Sequence, residues 1–148
     1  MDQAFFDTAR DALEGFVVTT IGRPRTWAHS RGLKVWFTDE TREHYEAQLI
    51  RVEGEAHFEI GFHAEHPKPA LNDAVLQRLL AVEPKWRKVL GPDAVAGEFI
   101  GRAGWRRISE LWPVPDAGVD DDAEAIDIAI EVAARLADYV RAIEPLRT

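Results

Sequence analysis

HYEAQLIRVEGEAHFEIGFHAE, residues 44–65, reads as two alternating runs around one turn. Residues 44–52 and 55–64 are the arms of an antiparallel hairpin, and Glu53-Gly54 is its turn. In that register Leu49 faces Phe58, Ala47 faces Ile60 and Tyr45 faces Phe62. All six lie on one face. A slip of one residue would turn the whole set towards water, so the pattern itself pins the pairing. Leu33, Val35 and Phe37 join this face from a preceding strand, where they alternate with Lys34, Trp36 and Thr38. This face is the expected core.

Outward from the hairpin, residues 2–14 read as a helix, with Phe5, Ala9, Ala12 and Phe16 at helical spacing and Gly15 as a stop. Val17 to Ile21 reads as a short extended piece, and Gly22-Arg23-Pro24-Arg25 as a loop. Beyond the hairpin, Pro67-Lys68-Pro69 ends the strand and Asn72 is the expected N-cap of a helix through Val82. Pro84 opens a further turn through Leu90. Val95–Ile100 and Trp105–Trp112 read as two more strands, residues 113–119 as a linker, and residues 120–144 as a long helix. Asp120, Asp121, Asp122 and Glu124 crowd its first turn, where the helix dipole favours negative charge. The expected order is α-β-β-β-α-β-β-α. That is an α+β fold: a mostly antiparallel sheet of about five strands with helices on one face.

A chain of 148 residues is expected to be a single domain, 1–148. It has no cysteine, which removes disulfides, thiolate metal sites and cysteine nucleophiles and fits a cytoplasmic location. No apolar run approaches the roughly 20 residues of a membrane span, so no membrane association is expected. The net charge of −8 is uneven. Residues 1–21 hold one Arg against four Asp/Glu, residues 22–112 fourteen Lys/Arg against thirteen, and residues 113–148 three against nine. Such an acidic chain is repelled by phosphate backbones, so nucleic acid is an unfavourable partner.

There is no P-loop, no dinucleotide-binding glycine motif and no nucleophile elbow around Ser30 or Ser109, the two serines of the chain. The polar face of the hairpin is more informative. His57, Glu59, Gly61, His63 and Glu65 share it, and the register sets Glu46 opposite Gly61 and His44 opposite His63. His44, Glu46, Glu59 and His63 therefore form a candidate divalent-metal or acid–base cluster, with His66 near the strand end. The same alternation also fits a sheet with one wet face. Gly61 in mid-strand marks a bulge or admits a ligand. Three tryptophan-containing basic segments supply Arg23, Arg25, Arg87, Arg106 and Arg107 as an alternative anion or nucleic-acid site, if they meet on one surface. Trp36, His57 and Trp112 are candidate ligand- or partner-binding residues.

The C-terminal helix is apolar over most of its circumference, which predicts cover on more than one side, one of them a second subunit. The order of elements is similar to that of the type III secretion chaperones, small acidic homodimers with a helix, three strands, a helix, two strands and a final helix. That resemblance implies a non-enzymatic protein that holds a segment of a protein or peptide partner in a non-globular state. Together with the missing catalytic signatures, it makes a protein- or peptide-binding homodimer without a cofactor the leading expectation, and a metal-dependent or acid–base enzyme on the His/Glu face the alternative.

Overall fold

The computed structural model describes residues 2–115 and 122–147. Helix α1 (Gln3–Val17) is followed by strands β1 (Arg25–His29), β2 (Gly32–Trp36), β3 (Glu43–Val52) and β4 (Glu55–Ala64). Helices α2 (Pro69–Leu80) and α3 (Glu83–Leu90), strands β5 (Val95–Phe99) and β6 (Arg102–Pro113), helix α4 (Asp122–Ile143) and a 3-10 turn (Glu144–Leu146) complete the chain. The six strands form one antiparallel sheet in the order β1-β2-β3-β4-β6-β5. The fold is α+β as expected, with six strands rather than five.

The central hairpin has the expected register, with Leu49 opposite Phe58, Ala47 opposite Ile60 and Tyr45 opposite Phe62. Its turn places Glu53 at φ 52° and Gly54 at φ 82°, the two left-handed residues of a tight hairpin loop. The added strand is β1, which pairs with β2 from Arg25↔Trp36 to His29↔Gly32. Arg25 therefore belongs to a strand rather than a loop. Residues 18–21 are a turn rather than an extended piece, because α1 runs through Gly15 to Val17. Burial of Val17 in the core outweighs the modest helix penalty of an internal glycine. At its other end Asp2 caps the helix, accepting from the backbone N–H of Ala4 and Phe5.

Helix α2 starts at Pro69, three residues before the expected cap. Asn72 instead sits buried in the first turn, where its side chain accepts from His66 N–H and donates to the carbonyls of His66 and Gly104. It fastens the end of β4 to the start of β6. Pro113 closes β6, while positions 116–119 of the expected linker and Asp120 and Asp121 of the expected helix start lie outside the described residues.

The core lies between one face of the sheet and the helices. Phe58, Ile60, Phe62 and Ile108 meet Phe5, Phe6 and Leu13 of α1 and Val132, Leu136, Tyr139 and Val140 of α4. Helix α4 packs on β3 and β4 and is flanked by α1 and by α3. Its wide apolar circumference is thus covered within the chain; Ile126 and Ile130 stay exposed near its start. No helix among the described residues is long and apolar enough to cross a membrane.

One carboxylate stands inside this core layer. Glu110 of β6 is buried and accepts hydrogen bonds from Arg135 Nε (3.0 Å) and Nη2 (2.7 Å), the Tyr139 hydroxyl (2.7 Å) and Trp112 Nε1 (2.8 Å). Burial works against its ionisation, but the bonds from Arg135, Tyr139 and Trp112 prevail and hold its carboxyl below the usual range. A carboxyl depressed in the folded state stabilises the fold at and above its unfolded pKa of about 4.3, and that gain disappears as pH falls through the folded value. Glu110→Gln is therefore expected to cost about 1.5–3 kcal/mol at pH 7 and to lose less further stability than the parent between pH 6 and pH 3. Urea unfolding of both proteins at the two pH values checks this, and parallel pH profiles would refute it.

Candidate metal centre

The face of the sheet turned away from the helices alternates strictly with the core. His44, Glu46 and Gln48 of β3 face His63, Gly61 and Glu59 of β4. The ladder continues one step past β4, where Glu65 N–H donates to the Arg42 carbonyl. Alternation puts Glu65 on the same face as His63.

This face is not wet at its centre, contrary to what its alternation suggested. His63 and Glu59 are fully buried, His44 is 1% exposed, Glu46 4% and Glu65 8%. Neighbours on the same face enclose them. The Phe99 ring stands edge-on to His63 with centroids 4.8 Å apart, Trp105 packs against Phe99, and the His44 ring meets His63 edge-on at 5.5 Å. A register irregularity in β5 between Glu98 and Phe99 accompanies this placement, a common device for re-aiming a side chain.

Four polar atoms converge there. His44 Nε2 lies 3.0 Å from Glu46 Oε1 and 3.7 Å from Glu65 Oε2. His63 Nδ1 lies 3.2 Å from the same Glu46 oxygen and 3.2 Å from the same Glu65 oxygen. Nitrogen and oxygen alternate around this ring, and all four atoms lie within 4.8 Å of one another. Ligands bound at about 2.0–2.1 Å in a tetrahedron are separated by about 3.3 Å, so the four edges bracket that value. The set fits a divalent ion of the zinc or manganese type, for which imidazole and carboxylate are suitable ligands.

The outer nitrogens of both rings are already engaged. His44 Nδ1 is 3.0 Å from the Thr41 carbonyl. His63 Nε2 is 2.9 and 2.8 Å from the two oxygens of Glu59, which also accepts from Gln48 Nε2 at 3.1 Å. Each ring thus meets oxygen acceptors at both nitrogens, and a neutral imidazole has only one N–H to give. The inner contacts need either a second proton on each ring or a cation shared among the four atoms. Outer N–H groups held by a carbonyl and a carboxylate are the usual support of metal-bound histidines.

The electrostatics agree with a positive species at this point. Burial disfavours the charged form of His63, yet Glu59 and the hydrogen bonds to Glu46 and Glu65 outweigh it and raise its pKa well above the ordinary value. Burial likewise works against Glu46 ionisation, and the bonds to His44 and His63 overcome it, holding the carboxyl far below the usual range. Arg107 donates to the Ser109 hydroxyl at 2.9 Å, and Ser109 in turn bonds Glu59.

Of the four residues proposed from the sequence, the structure brings His44, Glu46 and His63 together in the candidate quartet. Glu59 stands one step behind, on the far nitrogen of His63, and Glu65 takes its place. Glu65 was legible as a member of the His63-Ala64-Glu65 alternation but lies beyond the last apolar pair of the hairpin. His57 is apart from the cluster, its Nδ1 3.0 Å from the Glu55 carbonyl. His66 pairs with Glu43 at 2.7 Å instead. Glu40, Glu43 and His66 also bring three ligand atoms together, but Arg147 already occupies Glu43 at 3.1 Å. Gly61 neither admits a ligand nor marks a bulge; it makes room for β6, as its Cβ would stand 2.2 Å from the Ile108 carbonyl oxygen.

The other candidates are dispersed. Trp112 lies on the helix side opposite Phe58, and Trp36 lies half-buried beside the cluster. The basic residues do not converge. Arg106 points to Asp73 of α2 at 3.6 Å, while its neighbour Arg107 projects to the opposite face. Arg87 is on α3 with Glu83, and Arg25 pairs with Asp39 on β1, four strands and about 19 Å from β6. Arg23 sits in the loop before β1. No family model, no curated protein and no solved structure matches this chain, so its functional reading rests on the geometry of this centre.

Proposed function

We propose that the protein is a divalent-metal-dependent protein whose ion is held by His44 Nε2, Glu46, His63 Nδ1 and Glu65. The observation that carries the reading is the alternating N–O–N–O ring at 3.0–3.7 Å with both outer ring nitrogens already bonded to oxygen. A buried pair of imidazoliums among carboxylates is costly to desolvate. One divalent ion supplies the same charge and satisfies all four atoms at once. With all four positions taken by His44, Glu46, His63 and Glu65, a bound ion would act as a Lewis acid towards an oxygen ligand only by accepting it as a fifth ligand. The other reading, a homodimeric protein- or peptide-binding module, draws part of its weight from the apolar girth of the C-terminal helix, which α1 and α3 cover in part while Ile126 and Ile130 stay exposed.

The test is metal uptake by the purified full-length chain. After stripping with EDTA and dialysis against Zn2+ or Mn2+, elemental analysis is expected to find one ion per chain. Uptake below about a tenth of an ion for every divalent metal tried would overturn the proposal. Glu59→Gln keeps the shape of the carboxylate that holds His63 but removes its charge. It is expected to weaken metal binding about 10–100-fold with stoichiometry unchanged, as loss of an outer partner does. Competition against a chelating dye reads that shift, and an unchanged affinity would deny Glu59 its supporting role.

A further inference from the structure

Beside the quartet lies a cleft of about 310 Å³. Trp27, Trp36, Lys34 and Arg42 line it, and His44 and Glu65 form the part of its wall that belongs to the metal centre. The centre is therefore approached from this side. The two tryptophans come from adjacent strands of the same face, where Trp36 pairs with Arg25 and Trp27 with Lys34. Trp27 is 55% exposed, unusual for the largest apolar side chain. Lys34 Nζ stands 5.8 Å from the Trp27 ring. Among the described residues neither the Lys34 ammonium nor the Arg42 guanidinium makes a salt bridge, although the chain carries eight excess negative charges and the Arg42 backbone N–H donates to Glu40 at 2.8 Å. Two cations left unpaired beside an acid-rich centre favour an anion.

We propose that this cleft binds a small planar anion, a carboxylate borne on an aromatic or heteroaromatic ring, which lies against Trp27 and Trp36, pairs with Lys34 and Arg42, and reaches the ion of the quartet. The inference rests on the metal reading above. Flat aromatic surface suits a ring, and cations over and beside it suit the acid group. A volume near the lower end of ligand sites suits a single ring. The Glu65 carboxylate would repel an anion unless a cation neutralises it, so binding is metal-dependent.

Salicylate is the probe, since it is planar and anionic and coordinates through oxygen. Calorimetric titration into the Zn2+-loaded chain is expected to show saturable one-to-one binding. Affinity is expected to fall at least tenfold in the metal-free chain, and at least tenfold in Zn2+-loaded K34E/R42E with one zinc still bound per chain. W36A, which removes ring surface without touching charge, is expected to lose several-fold. Failure of the wild-type chain to hold zinc overturns the metal centre and this inference with it. One zinc per chain with no saturable salicylate binding, or with equal affinity in wild type, K34E/R42E and W36A, overturns this inference alone.

Discussion

His63→Leu is expected to lose both the metal and much of the stability of this protein. In the proposed centre His63 would supply one of four ligand atoms, and it is the residue on which three carboxylates converge, Glu59 at 2.8 Å and Glu46 and Glu65 both at 3.2 Å. If a four-ligand centre contributes about 10–16 kcal/mol, one ligand carries about 3 kcal/mol, a loss of about 10²–10³ in affinity. Leucine fills a similar volume, so the packing against Phe99 is largely kept. What it removes is the positive partner of buried acids. Breaking such a buried set costs about 3–5 kcal/mol even without metal. At about 2–4 °C per kcal/mol for a chain of this size, the melting temperature in EDTA is expected to drop by about 6–20 °C. His57→Leu on the same strand, outside the quartet, serves as control and is expected to change neither quantity. A His63→Leu protein with wild-type metal affinity would dismiss the quartet as the binding site. One that melts within 2 °C of the parent would dismiss the account of its buried charge.

The parts of this centre differ in how readable they are from residues alone. The meeting of His44, Glu46 and His63 follows from register, and register follows from the apolar set at Tyr45, Ala47, Leu49, Phe58, Ile60 and Phe62. Burial of the centre does not follow, because polar alternation on an antiparallel hairpin is also the mark of a solvated face. What encloses it, Phe99 and Trp105, arrives from strands some forty residues later, and no local pattern announces which face they join. Strand β1 was hidden for a related reason. It is short, follows Pro24 and contains Arg25, Trp27 and His29 on its outward side, so it resembles the loop it leaves. Glu110 is the reverse case, an acid at an inward position. Its partners Arg135 and Tyr139 lie 25 and 29 residues further on, and only the docking of α4 reveals why the position tolerates a charge.

Gly61→Ala is expected to be the most damaging single-methyl change in the sheet. Gly61 pairs with Ser109 across the β4–β6 ladder at the middle of the molecule. An added Cβ would stand 2.2 Å from the Ile108 carbonyl oxygen and 2.5 Å from both the Cα and Cβ of Ser109. Two of these three are backbone atoms of the neighbouring strand, so no rotation of a flexible side chain relieves the overlap. The two strands must separate, and the pairs on either side, Phe62 with Ile108 and Ile60 with Glu110, carry the core contacts of the sheet. Overpacking by one methyl usually costs about 1–3 kcal/mol, and an overlap of this depth against backbone belongs at or above the upper end. The expected result is a melting temperature lowered by about 6–12 °C or more. The same displacement would move His63 and Glu59, which flank Gly61 on the polar face, so metal affinity should fall together with stability although no ligand has been altered. Gly97→Ala is the comparison: its added Cβ meets nothing within 4 Å, on the outer strand of the same sheet, and it is expected to leave both properties near their parental values. Equal melting of the two variants would mean that β4 and β6 can part without penalty, and the close approach at Gly61 would then not be what holds the centre in shape.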